Sequence, residues 1–336
     1  MASRIGILGA GGWGTALAIA MEHNGHEVIL WEYDPELAVQ FNSLHENRVF
    51  LPGIALPENI IITSTLKTAV KEKDFIIVAL PSHVVRPVSS QLSTMISDKT
   101  ILVSGSKGIE NRTWKRISQI LLETNPGLSP FNVVALSGPS HAEELARKKP
   151  TVIVAASDEN ESSRQVQQIL MSPFFRIYTR EDLIGVELGG SLKNVIAIAA
   201  GIVDGLDLGD NLKAALINRG LVEMTRLGVA MGADPITFAG LSGMGDLIVT
   251  CASRHSRNRF VGEQIGKGKT LNQVLEGMVM VAEGVRTAQS AMDLSIHHQI
   301  DMPITREVFN VLFEDKDPRQ AVNDLMTRNA KPEDWG

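Results

Sequence analysis

The run Ile5-Gly-Ile-Leu8 empties directly into Gly9-Ala-Gly11-Gly-Trp-Gly14, and no other feature of the 336-residue chain restricts its fold as tightly. In a G-x-G-x-x-G turn each glycine has its own task. Gly9 permits a tight turn out of a strand, Gly11 has no Cβ to obstruct a pyrophosphate, and Gly14 lets the next helix lie close on the sheet. The helix predicted over Thr15–Asn24 aims its unpaired N–H groups and positive dipole end at that turn, an arrangement suited to phosphate. An isolated glycine-rich turn carries little weight. Here it follows an apolar run, opens a helix and leads to a second strand, Glu27–Trp31, ending at Glu32. In that βαβ setting it predicts dinucleotide binding.

The alternation continues. Strands are expected at Arg4–Leu8, Glu27–Trp31, Ile60–Thr63, Phe75–Ala79, Thr100–Ser104, Asn132–Leu136, Thr151–Ala155 and Phe175–Thr179. Helical patterns fill Pro35–His45, Val84–Met95, Trp114–Thr124 and Glu161–Met171. This reads as a mainly parallel sheet with helices on both faces. Past about Glu181 the strand signals stop. Helices are expected over Ile184–Val203, Asn211–Met231, Arg257–Ile265, Gly284–His298, Ile304–Phe313 and Pro318–Thr327, with glycine-bearing junctions at 205–209 and 240–245. The expected organisation is an α/β Rossmann-type domain over residues 1–180 and an all-α domain over 181–336. Substrates usually bind in the cleft between two such domains.

Composition narrows the function classes. A hydrophobic content of 44% and a charged content of 21% are those of a soluble globular protein. The net charge of −6 argues against nucleic acid or an anionic membrane as partner. Cys251 is the only cysteine, so no internal disulfide forms. No charged and apolar leader precedes the first strand, so no signal peptide is expected. The apolar stretch Val195–Val203 is far shorter than the ~20 residues that span a bilayer. A cytoplasmic protein without stable membrane insertion is expected.

Several residues suggest chemistry. Lys193 has Gly189 and Gly190 at i−4 and i−3 and Ala197 at i+4 on one predicted helix. Glycines cost ~1 kcal/mol each in a helix interior. They either leave room for a ligand beside the ammonium or admit a packed helix beside a surface charge, and spacing alone leaves both open. Lys107 follows the fifth strand, at the sheet edge where doubly wound folds bind ligands. Ser140 reads as an N-cap with Glu143 as its capping-box partner, and a plain helix start accounts for it. Ser253-Arg-His-Ser-Arg-Asn-Arg259 forms a basic patch opening a helix. Its donors suit a phosphate, the alternative being a solvated turn. Nucleic acid is disfavoured there, because no aromatics interleave the basic residues. Gly240–Asp246 reads as a flexible loop able to place one carboxylate in a cleft. Cys251 reads as buried, and His297 and His298 as helix-end residues facing the dipole. No His, Cys or carboxylate cluster has metal-ligand spacing, so no metal is expected.

With these residues in view, the chain resembles the NAD(P)-dependent glycerol-3-phosphate dehydrogenases of the bacterial soluble type, nearly end to end. The resemblance rests on Gly9-Ala-Gly-Gly-Trp-Gly, Leu51-Pro-Gly, Pro81-Ser-His, Ser106-Lys-Gly and Ser137-Gly-Pro-Ser. It continues through Gly185-Val-Glu-Leu-Gly-Gly-Ser-Leu-Lys-Asn-Val, Gly243-Met-Gly-Asp-Leu, Ser256-Arg-Asn-Arg, Glu283-Gly and Met302-Pro-Ile-Thr. It implies reversible reduction of dihydroxyacetone phosphate to sn-glycerol 3-phosphate with NADH or NADPH, without metal, by a homodimer that feeds phospholipid synthesis. Lys193 would be the proton donor and acceptor, and Lys107 would touch both substrate and cofactor. Gly138, Ser140, Asp246, Ser256, Arg257 and Asn258 would line the substrate site. Gly12, Trp13, Tyr33, Ala142, Arg257, Val281 and Glu283 would join Gly9, Gly11 and Gly14 at the cofactor. A lysine suits this proton transfer if burial and nearby cations lower its pKa.

Two positions depart from the family pattern. Tyr33 stands where relatives often carry His or Arg, and Asn218 where they often carry Thr. Glu32 lies where an acidic group bonds the adenosine ribose 2′-OH, so NADH is expected to serve at least as well as NADPH. Glu32 turning to solvent, or Arg48 reaching the site, would change that. Two other readings compete: a 6-phosphogluconate or other β-hydroxyacid dehydrogenase, and a non-catalytic nucleotide-sensing module. Ser256-Arg-Asn-Arg and Gly243-Met-Gly-Asp count against the first. Lys107, Lys193 and Asp246 count against the second.

Overall fold

Short β-branched runs bounded by turn residues pair into one sheet in a computed structural model that describes residues 2–330, 332 and 333. The strands are β1 (Arg4–Leu8), β2 (Glu27–Trp31), β3 (Ile61–Thr63), β4 (Phe75–Val78), β5 (Ile101–Ser104), β6 (Val133–Ser137), β7 (Thr151–Ala156) and β8 (Phe175–Arg180). Their order is β3-β2-β1-β4-β5-β6-β7-β8. Neighbours run parallel except β6 and β7, which are antiparallel with Leu136 opposite Ala155. Every residue of β4, β5 and β6 is buried. A strand covered by helices on both faces has no polar side, so it reads as a continuous apolar run.

The helices between them are α1 (Gly12–His23), α2 (Pro35–Leu44), α3 (Leu66–Val70), α4 (Ser82–Ser89), α5 (Ile117–Thr124), α6 (Ala142–Ala146) and α7 (Asn160–Leu170). Three differ instructively from expectation. α1 begins at Gly12 rather than Thr15, so the glycine-rich turn is itself the first helical turn. α5 begins at Ile117 rather than Trp114, because Trp114 is held at a φ of 57°, which a helix cannot include. α4 contains Pro87 and stops at Ser89 rather than Met95; beyond it the chain makes separate turns, most of them closed by i→i+3 bonds.

After β8 the chain is helical: α8 (Leu183–Gly205), α9 (Asp210–Ala230), α10 (Pro235–Phe238), α11 (Asp246–Ala252), α12 (Arg257–Gly266), α13 (Leu271–Glu276), α14 (Glu283–His297), α15 (Pro303–Phe313) and α16 (Pro318–Met326). The expected flexible loop at Gly240–Asp246 is instead a wound π-helical turn, Leu241–Gly245, feeding straight into α11. Its closing bond runs from Gly245 N–H to Gly240 O at 3.1 Å.

α8 is the core of this part. It and the segment Pro235–Ala252 are long and apolar enough to cross a membrane by length and composition, which the stretch Val195–Val203 understates. The most apolar 18-residue stretch of α8, however, is buried throughout inside the protein. Its partner α12 approaches backbone to backbone. A Cβ on Gly201 would lie 2.0 Å from Arg259 O, and one on Gly262 would lie 1.9 Å from Ile198 O. That close crossing brings the start of α12 beside the middle of α8. The first turn of α8 shares a core with the sheet, where Leu183 and Val186 pack on Ala135, Val154 and Ala156.

Carboxylates from the helical part also satisfy orphan N–H groups at helix starts in the sheet part. Glu187 of α8 accepts from Ser118 N–H at 2.7 Å at the start of α5. Glu283 of α14 accepts from Ser82 N–H at 2.8 Å and Ser82 Oγ at 2.6 Å at the start of α4. Each contact places a negative charge at the positive end of a helix.

Candidate active site

A cleft of about 820 Å³ opens beyond the carboxyl ends of β1, β4 and β5, the edge where open α/β sheets bind ligands. At one end is the β1–α1 turn. Gly9 sits at a φ of 105°, and a Cβ there would press on Ala79 O at 2.8 Å. A Cβ on Gly11 would meet nothing within 4 Å, so Gly11 borders open space. Gly14 is behind the lining, where a Cβ would strike Gly9 O at 2.0 Å. Gly12, Trp13, Ala142, Val281 and Glu283 line the same cleft. The buried Trp13 Nε1 has no hydrogen-bond partner among the described residues. An open glycine turn at a helix start, with an unsatisfied indole N–H beside it, fits a dinucleotide.

Beyond that turn Trp31, Glu32 and Tyr33 continue the lining. Tyr33 is 80% exposed and sets its ring edge-on to Trp31 at 6.1 Å. Glu32 does not turn to solvent. It is buried, its Oε1 accepts Asp34 N–H at 3.0 Å, and burial raises its carboxyl above the ordinary value. Arg48 is paired with Glu46 at 2.9 Å and is not in the lining.

At the other end lies Lys193, 6% exposed. Its ammonium donates to Asp246 Oδ1 and to Thr250 Oγ1, the latter at 2.7 Å. Lys107 Nζ donates to Asp246 Oδ2 at 2.7 Å and to Gly138 O at 3.2 Å. Asp246, 1% exposed, therefore holds two ammonium groups from behind the lining. Burial opposes its charge, but Lys107 and Lys193 outweigh burial and keep its pKa below the ordinary value. Burial is also the largest influence on Lys193. Asp246 offsets part of it, Lys107 adds repulsion, and the ammonium is lowered to about 7. An ammonium has three hydrogens, and two are engaged here, which leaves one for the cleft.

The glycines beside Lys193 serve the protein's own packing. A Cβ on Gly189 would sit 2.6 Å from Ser242 O, and one on Gly190 would sit 2.5 Å from Ser137 Oγ. Of the two readings left open by spacing, neither holds whole: the glycines admit close packing, yet Lys193 is not a surface charge.

Ser140 is not the cap of α6. His141 takes that position without a side-chain cap bond, and the Ser140 hydroxyl donates to Gly138 O at 2.9 Å while lining the cleft. Gly138, at a φ of 142°, lies against Ile153 and outside the lining. Ser256 caps α12 through a bond from Arg259 N–H at 3.2 Å. The Arg257 guanidinium reaches the cleft with no hydrogen bond or ion pair to any described residue. Asn258 bridges three helices: its Nδ2 donates to Asn194 Oδ1 and its Oδ1 accepts Gly284 N–H, both at 2.8 Å.

Among the polar lining residues to which the sequence alone assigns no role are Asn194, Thr250 and His141. Thr250 had one signal, standing four residues after Asp246, which a helix places on one face. Asn218 is exposed on α9, and nothing around it explains the residue. Cys251 is buried, and burial pushes its thiol up to about 12, which makes it inert. Among the described residues no group of three or more His, Cys, Asp or Glu could hold a metal ion.

A doubly wound sheet whose glycine-rich turn shares a cleft with a buried lysine defines the class of nicotinamide-dependent dehydrogenases. Residues 4–163 match the family model for the NAD-dependent glycerol-3-phosphate dehydrogenase N-terminus, and residues 182–323 match that for its C-terminus. The chain belongs to this family. It is 50% identical over 333 residues to a glycerol-3-phosphate dehydrogenase [NAD(P)+] of Geobacter metallireducens, covering 99% of each chain. It is 48% identical over 329 residues to that of Chlorobium limicola, covering 98% of this chain and 99% of the relative. The crystal structure of glycerol-3-phosphate dehydrogenase from Coxiella burnetii superposes with a TM-score of 0.93 at 37% identity, over 97% of this chain and 99% of the other.

Proposed function

We propose that this protein reversibly reduces dihydroxyacetone phosphate to sn-glycerol 3-phosphate with NADH or NADPH, and that Lys193 moves the proton. The observation that carries the reading is the buried Lys193 ammonium, held by Asp246 and Thr250 in the cleft that the glycine turn opens into. When bound, the reduced nicotinamide supplies the hydride. Lys193 gives its remaining hydrogen to the oxygen of the ketone as that carbon is reduced, and takes it back in the reverse direction. A general acid works best with a pKa near the working pH, and burial with Lys107 nearby brings Lys193 to about 7. Asp246 fixes both ammonium groups. Lys107 and Ser140 serve the substrate, with Gly138 O positioning both side chains.

Ser256, Arg257 and Asn258 form the phosphate subsite at the start of α12. Arg257 is free to pair with a dianion, and the helix start adds its own positive end. At the far side Gly9, Gly11, Gly12, Trp13, Ala142, Val281 and Glu283 hold the dinucleotide, with Gly14 supporting the turn and Tyr33 at the adenosine end. The same reading divides the chain at residue 180, into 1–180 and 181–336. A homodimer, a cytoplasmic location and a supply of glycerol 3-phosphate to phospholipid synthesis complete it.

The test follows nicotinamide absorbance in both directions: oxidation of NADH and NADPH with dihydroxyacetone phosphate, and reduction of NAD+ and NADP+ with 6-phosphogluconate. Turnover with the first alone is expected. Lys193→Ala is expected to lose at least ~10²-fold in kcat with nicotinamide affinity little changed. Wild-type protein that binds NADH yet reduces nothing would overturn the reading.

A further inference from the structure

His141 is a titratable group in the cleft to which this chemistry gives no task. His141 lines the cleft between Ser140 and Ala142, and its Nε2 is buried with no hydrogen-bond partner among the described residues. Buried polar atoms are nearly always paired, and an exception in a binding site marks a place for a ligand atom. The imidazole lies 5.6 Å from that of His255, tilted by 54°. His255 lines the same cleft and immediately precedes Ser256 and Arg257. The loop after β6 thus meets the turn before α12 through two imidazoles at the rim of the phosphate subsite.

The charged and titratable groups facing His141 are Lys193 on α8, Glu143 and Glu144 on α6, and His255 before α12. Burial first, and the Lys193 charge second, hold the His141 imidazole below its ordinary pKa. Without an anion beside it the ring is therefore neutral near pH 7. A dianion reverses the balance, because an opposite charge within hydrogen-bond reach favours the protonated form.

We infer that His141 is a further substrate-binding residue: its Nε2 donates a hydrogen bond to the phosphate of a phosphomonoester substrate and takes up a solvent proton as the dianion enters, with the His255 ring packed beside it. This rests on the reading of Ser256, Arg257 and Asn258 as the phosphate subsite. It makes the site selective for dianions over neutral analogues, and more so at lower pH.

The experiment compares wild type, His141→Gln and His255→Gln. Glutamine keeps an N–H donor but cannot titrate. KM is measured between about pH 6 and pH 8.5, across the imidazole range, for dihydroxyacetone phosphate and for unphosphorylated dihydroxyacetone. For the phosphorylated substrate the His141→Gln to wild-type KM ratio is expected near tenfold at the acidic end, about one charge-assisted hydrogen bond. It should shrink severalfold toward the alkaline end, while the ratio for dihydroxyacetone stays flat. Calorimetry compares wild type with His141→Gln, because Lys193, at about 7, can itself take up a proton in the same cleft. Near pH 7.5, where a phosphomonoester with a second pKa of about 6 is already dianionic, binding of dihydroxyacetone phosphate in buffers of different ionisation enthalpy should show proton uptake in wild type that His141→Gln reduces, and equal uptake in both overturns the inference. A pH-independent KM ratio, or binding without proton uptake, overturns the inference. Loss of the pH dependence in His255→Gln but not in His141→Gln moves the titrating group to His255 and overturns it as well. A wild-type protein that does not turn over dihydroxyacetone phosphate fails the functional reading itself, and this inference falls with it.

Discussion

Asp246→Asn isolates what the buried carboxylate does for Lys193. In the native site the carboxylate takes a hydrogen bond from each of two ammonium groups, Lys193 and Lys107. Asparagine keeps the shape but removes the charge, so the repulsion between the two lysines is no longer offset. The change must lower the Lys193 pKa, because removing a nearby negative charge disfavours the protonated amine. A charge-assisted hydrogen bond contributes ~1.5–3 kcal/mol, and at 1.36 kcal/mol per pKa unit that is roughly one to two units. Lys193 starts at about 7, so it is about half protonated at pH 7 and roughly 1–10% protonated in the variant. Reduction needs the ammonium. Its kcat therefore falls as pH rises through the Lys193 pKa, and the variant's falling limb should lie roughly one to two pH units lower. Near pH 7 the expected loss in kcat is about 5–50-fold, most of it recovered toward pH 5. The assay is NADH oxidation at saturating dihydroxyacetone phosphate, so that the substrate's own phosphate titration affects KM rather than kcat. A uniform loss at every pH, with the limb unmoved, would show that Asp246 orients groups without tuning Lys193.

Arg257→Ala should lower kcat/KM for dihydroxyacetone phosphate by about one to two powers of ten and leave dihydroxyacetone nearly unaffected. Equal losses for both substrates would place Arg257 at the cofactor or in the fold. Since Glu32 is buried at the adenosine end of the cleft, NADH should be at least as good a cofactor as NADPH. Glu32→Ser with Tyr33→Arg should shift preference toward NADPH. A wild-type preference for NADPH above roughly tenfold, ~1.4 kcal/mol, would refute a ribose-reading Glu32. Gly201→Ala puts a methyl 2.0 Å from Arg259 O and should destabilise by ~1–3 kcal/mol or more. Chemical denaturation reads this, and an unchanged midpoint would mean that α8 and α12 separate at no cost.

The sequence alone determined the doubly wound plan. Each strand is a short β-branched run, and the glycine spacing at 9, 11 and 14 makes sense only between a strand and a helix lying against it. These are local patterns, written in neighbouring residues. The tertiary structure decided what the patterns could not. Spacing left Lys193 undecided between a site and a surface, because its state depends on Asp246, 53 residues away. That carboxylate lies on a wound turn that glycine content made look like a loose loop. The reversal between β6 and β7 was equally hidden, since an apolar run specifies burial and not direction. Ser140 looked like a helix cap, but its hydroxyl bonds Gly138 O and the cap passes to His141. The ionisation of Lys193, Asp246 and His141 is set by which charges the folded chain brings together away from water, and no stretch of neighbouring residues contains that information.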